Sequence, residues 1–109
     1  MSFSNDPFSI GGNSVGAISV DANSNLTYTS GGASQGPWTI DWHGSGVLGS
    51  STLNPNLVIN NVSYDRISGN LNAKGQGSGQ LHKANTSGDP DPAASDDWSA
   101  SGTSDGGGY

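Results

Sequence analysis

The sequence predicts an all-β chain: a small antiparallel sandwich or open barrel followed by a flexible acidic C-terminal tail. Three observations carry that reading. Apolar residues never recur at the 3.6-residue spacing of a helix. With 18 Gly and 19 Ser in 109 residues, any three-turn helix would contain several of them, which helix propensity opposes. Short alternating runs are separated by clusters of Gly, Asn, Asp and Pro, the punctuation of strands and turns. From Ile67 to His82 the odd positions are all apolar or Gly and the even positions all polar, the period of an extended chain.

The parts divide into an N-terminal arm over residues 1–7, an all-β domain over 8–84 and a tail over 85–109. Residues 1–6 hold neither a basic n-region nor an apolar h-region, so no signal peptide is read there. In the domain, Gly16–Val20 and Leu26–Thr29 flank Asp21–Asn25 as a hairpin, with Ile18, Val20, Leu26 and Tyr28 on one face. The run Ser19–Thr29 resembles a hairpin common in bacterial cadherin-like adhesin repeats. The likeness covers about a tenth of the chain, ends by Ser30 and carries over no functional residue.

Gly31-Gly32 and Gly36-Pro37 mark a loop. In Trp38–His43 the residues Trp38, Ile40 and Trp42 then share one face, with Thr39, Asp41 and His43 on the other. Gly44-Ser45-Gly46 reads as a kinked continuation into Val47-Leu48, and Asn54-Pro55-Asn56 as a turn before the short buried strand Leu57–Ile59. The apolar positions change from odd to even across Asn60-Asn61, as a one-residue bulge would cause. An unbroken strand over residues 67–82 would be about 50 Å long at ~3.3 Å per residue. A bend or hairpin near Gly75–Gly79 is therefore expected.

Composition bounds the function. The large apolar side chains number 24, few for this length, so the core is thin unless association adds burial. Three basic residues cannot neutralise many phosphates, which argues against nucleic acid. No apolar run is long enough for a membrane-spanning helix. Without Cys there is neither a disulfide framework nor a Cys-based zinc site. Of the net charge of -6, residues 85–109 carry -5, with five Asp and no basic residue. That segment reads as a solvating tail in which Trp98 and Tyr109 stand out as aromatics in need of a docking place. Few charges, many small polar residues and no Cys associate with an extracellular or surface-exposed protein.

Candidate chemistry is sparse. Asp41 and His43 point the same way and could form a catalytic or metal pair, but a polar strand face supplies such neighbours routinely. Gly77-Ser78-Gly79 and Gly44-Ser45-Gly46 lack the strand-to-helix setting of a nucleophile elbow. Asp89-x-Asp91 lacks a third alternate ligand for calcium. Sequons at Asn25, Asn61 and Asn85 are expected in a chain this rich in Asn, Ser and Thr. Trp38 and Trp42 are either core residues or an exposed pair able to stack on sugar rings.

Two functional expectations follow, neither catalytic and neither needing a cofactor. The first is a lectin-like carbohydrate-binding module using Trp38, Asp41, Trp42, His43, Asn70, Asn72 and Gln76. The second is a self-assembling structural subunit of a fibre, appendage or viral particle, a homo-oligomer built through the Gly-rich face and exposed strands.

Overall fold

The computed structural model describes residues 2–43, 46–84 and 94–102. They form eight strands: β1 (Phe3–Ile10), β2 (Asn13–Val20), β3 (Asn25–Ser30), β4 (Ala33–Thr39), β5 (Leu48–Ile59), β6 (Val62–Leu71), β7 (Gln76–Lys83) and β8 (Ser95–Ser101). All belong to one antiparallel sheet in the order β4-β3-β2-β1-β8-β7-β6-β5. Consecutive strands are neighbours except at β4 and β5, the first pairs with the last, and the sheet curls until β4 faces β5. The result is an up-and-down barrel with its seam in the middle of the sequence.

Turn chemistry sets the hairpins. Gly11-Gly12, Gly31-Gly32 and Asn60-Asn61 each supply two consecutive positive φ angles, the requirement of the two-residue turn whose twist matches paired strands. Asn60-Asn61 is thus a hairpin turn and not a bulge. The parity change arises because the directly opposed residues Ile59 and Val62 share a face. The expected turn at Asn54-Pro55-Asn56 is instead a bulge within β5, where the register with β6 jumps between Thr52 and Leu57. The chain also does not run on from Trp42 into Val47-Leu48. It reverses, leaving Trp42 opposite Leu48 as an antiparallel bridge.

The Ile67–His82 alternation is kept, folded as the β6–β7 hairpin. Asn72 builds its turn by accepting the N–H of Lys74 (2.9 Å) and that of Gln76 (3.0 Å) on Oδ1, the local bonding that suits Asn to turns. Asn72→Ala is expected to cost about 1–2 kcal/mol, read from the urea midpoint. The Gly-rich face of this hairpin is the inward one, with Ile67, Leu71, Ala73 and Leu81 buried along it. Here β6 and β7 approach so closely that a Cβ on Gly79 would lie 2.0 Å from the Ser68 carbonyl oxygen and one on Gly77 2.0 Å from that of Asn70.

Two boundaries need correction. Residues 3–7 of the expected arm belong to β1, and residues 95–101 of the expected tail form β8, hydrogen-bonded between β1 and β7. The tail composition concealed a strand whose Trp98 and Ala100 point into the core. Trp98 is 1% exposed, stacks on Phe8 at 5.7 Å and donates its indole N–H to the Ser68 carbonyl at 3.0 Å. The Asp89–Asp91 pair, the Asn85 sequon and Tyr109 lie outside the described residues.

The barrel interior is filled by one cluster that includes Phe8, Ile18, Leu26, Leu53, Leu57, Ile67, Leu71, Leu81 and Trp98. Every aromatic side chain among the described residues is buried in it. The seam between β4 and β5 is stitched largely by side chains. The Gln35 amide donates to the Val58 carbonyl (2.7 Å) and accepts the Val58 N–H (2.9 Å), reproducing a backbone pair. Trp38 donates to the Pro55 carbonyl (2.6 Å), and Ser51 Oγ accepts the Asp41 N–H (2.8 Å).

Candidate functional site

The seven residues read as a sugar site do not converge. Trp38 and Trp42 are 4% and 3% exposed, so neither indole offers a face to a ligand and the exposed-pair reading is overturned. A core short of aliphatics draws its large aromatics inward. Trp42 packs edge-on to Phe3 at 5.8 Å and donates its indole N–H to the Leu71 carbonyl at 2.6 Å. That bond draws the segment bearing Asp41 and His43 toward the barrel end that carries the Asn72 turn. Asp41 and His43 meet at 3.3 Å, but their side chains are 66% and 82% exposed, so water screens the pair. Asn72 and Gln76 bond to each other across the turn at 3.2 Å, and Gln76 also donates to the Gly102 carbonyl. Asn70 is exposed on the outer face of β6, opposite Ser78. Among the described residues no group of three His, Asp or Glu side chains is placed to hold a metal ion.

A concavity does exist at the same end of the barrel. It is an open cleft of ≈ 340 Å³ between the start of β1 and the β2–β3 hairpin, lined by Ser2, Phe3, Ser4, Ser19, Val20, Asp21, Ala22, Asn25 and Thr27. A bulge shapes its β1 wall: Phe3 pairs with Val20 but Asp6 with Ile18, so β1 spends three residues where β2 spends two. Asn5 sits there at φ 54 and donates its N–H to Ser19 Oγ at 3.0 Å. Ser19 and Thr27 are directly opposed on β2 and β3, which sends both hydroxyls to the outer face.

The hairpin turn forms the far wall. Asp21 Oδ1 accepts the backbone N–H of Asn23 (2.8 Å) and that of Asn25 (3.0 Å), and Oδ2 accepts from the Asn25 amide (3.2 Å). These bonds, the Asn25 N–H foremost, hold the Asp21 carboxyl below the usual carboxylate range. Asn25 is fixed from the other side, since Thr39 Oγ1 donates to its Oδ1 at 3.0 Å. The wall is thus one ionised, immobilised carboxylate, an oriented amide and several hydroxyls. No basic side chain is among the described residues that line the cleft.

The sequence reading took Asp21–Asn25 only as a turn and missed Ser19, Asp21, Asn25 and Thr27 as a group. Their signal was the Asx-rich turn flanked by outward Ser and Thr at matching register. Comparison with protein-family models, curated proteins and solved structures finds no match, so geometry alone carries the functional reading.

Proposed function

We propose that the chain is a non-catalytic, carbohydrate-binding module that takes a neutral sugar unit in the cleft between β1 and the β2–β3 hairpin. The observation that carries this is the lining: hydroxyls, one oriented amide and one pinned carboxylate, with no basic side chain among the described residues, above the buried Phe3 and Val20. A carboxylate accepting from vicinal hydroxyls beside an amide that both donates and accepts is matched to a polyol. An anionic ligand would meet the Asp21 charge instead. The volume of ≈ 340 Å³ is at the lower end of small-molecule sites. Because the described aromatics are buried, affinity must come from hydrogen bonds without ring stacking, and Kd on the order of 1 mM is expected. An extracellular or surface-exposed setting, where such ligands are displayed, agrees with the low charge and the lack of Cys.

Titration of the labelled protein with a panel of sugars, followed by amide NMR, tests this. Shifts should gather on residues 2–4 and 19–27, and Thr27→Val should weaken binding about five- to tenfold. No response to any sugar class overturns it. Self-assembly through strand edges receives less support. Both β6 and β7 are paired on each side, and the seam strands β4 and β5 carry Pro37 and Pro55, residues that blunt an edge.

A further inference from the structure

Asp6 is the one described side chain in which a buried polar atom, Oδ2, has no hydrogen-bond partner. The bulge in β1 turns it inward, where it is 4% exposed. Its carboxyl fills the space of two missing side chains: a Cβ on Gly75 would lie 2.6 Å from Oδ2, and one on Gly102 2.7 Å from Oδ1. Among the described residues, the elements around it offer no compensating charge. Strand β2 brings Ile18 opposite it, the end of β8 brings Gly102, and the β6–β7 turn brings Lys74, which is exposed and forms no ion pair with it. Asp21, in the far wall of the cleft, has the same sign.

We propose that ionisation of Asp6 releases the first segment of β1, Phe3–Asn5, and so opens the wall of the cleft. A buried carboxylate with an oxygen that no donor meets is costly, and the least disruptive way to hydrate it is to free the strand end beside it. That end is hinged at the bulge, where Asn5 holds a positive φ. It is held by the Phe3 pairing with Val20, by the buried Phe3 ring against Trp42 and by the Asn5 N–H on Ser19 Oγ, while the bulge interrupts the ladder between Phe3 and Asp6. Its effect on ligand binding rests on the sugar-site reading, whereas the release itself does not.

Burial pushes the Asp6 carboxyl from 3.8 up to about 6. The folded state therefore binds this proton more tightly than the unfolded chain, and the closed strand loses stability as pH rises from about 4 through about 6. The cleft wall is closed in mild acid and loosened at neutral pH.

Amide hydrogen exchange on the full chain tests the device between pH 4.5 and 7.5. Corrected for intrinsic rates, protection of Phe3 and Asn5 should fall about tenfold between pH 5 and pH 7, tracking the Asp6 carboxyl carbon shift. In Asp6→Asn protection should stay level. The same fall in Asp6→Asn, or level protection in the parent, overturns the proposal. If Asp6→Asn does not fold, the carboxyl carbon shift of the parent decides alone, and titration near 3.8, the ordinary carboxyl value, overturns it. Release of the strand without sugar binding at either pH would sink the sugar site and leave the switch standing.

Discussion

Trp98→Ala is expected to destabilise the protein by about 3–5 kcal/mol, the range for removing a buried Trp. The indole is 1% exposed, stacks on Phe8 and satisfies the Ser68 carbonyl. Its removal leaves a cavity between β1 and β7, the two strands that β8 joins. Urea unfolding followed by far-UV circular dichroism reads the loss as a lower midpoint at unchanged slope. Were residues 95–101 a solvated tail, the substitution would cost almost nothing, so the experiment tests the strand itself.

Gly79→Ala should cost about 2–3 kcal/mol although it adds a single methyl group. The methyl would stand 2.0 Å from the Ser68 carbonyl oxygen and 2.6 Å from Gly69 Cα. Both atoms are backbone of the paired strand, so no side-chain rotation can make room. Relief requires β6 and β7 to separate, which stretches the ladder from Ile67–Leu81 to Leu71–Gly77. An Ala in place of Ser78, exposed on the outer face, should leave the midpoint within about 0.5 kcal/mol. Thermal unfolding of the two variants side by side separates close approach from mere composition.

Much of the fold was legible because it is local. Ile18, Val20, Leu26 and Tyr28 share a face as the alternation required, and Trp38, Ile40 and Trp42 point inward together. The long alternation at 67–82 survives as a hairpin because directly opposed residues keep their faces across a turn. What failed was non-local or masked by composition. Asp96-Asp97 read as tail charge, yet Asp96 accepts a hydrogen bond from the Tyr64 hydroxyl at 2.6 Å and faces Lys83 at 3.6 Å, which offsets its place in a strand. Nothing in Ser4-Asn5-Asp6 announces a bulge, because the bulge is a relation between β1 and β2. The cleft depends on that bulge. Its hydroxyls and amide were present in the sequence as turn residues, and only their convergence was invisible.

Placing the seam between β4 and β5 rather than at the chain ends has a kinetic consequence. The strand that unites the sheet is the last of the described strands, and its pairing of Phe8 with Ala100 spans nearly the whole described chain. Until β8 docks, β1–β4 and β5–β7 are two separate meanders, each with an outer strand open to pairing. Contact order is accordingly high, and folding is expected to be slow for a domain of this size. During synthesis Trp98 emerges after the other seven described strands, so closure of this barrel buries its indole and covers the free edges of β1 and β7 together.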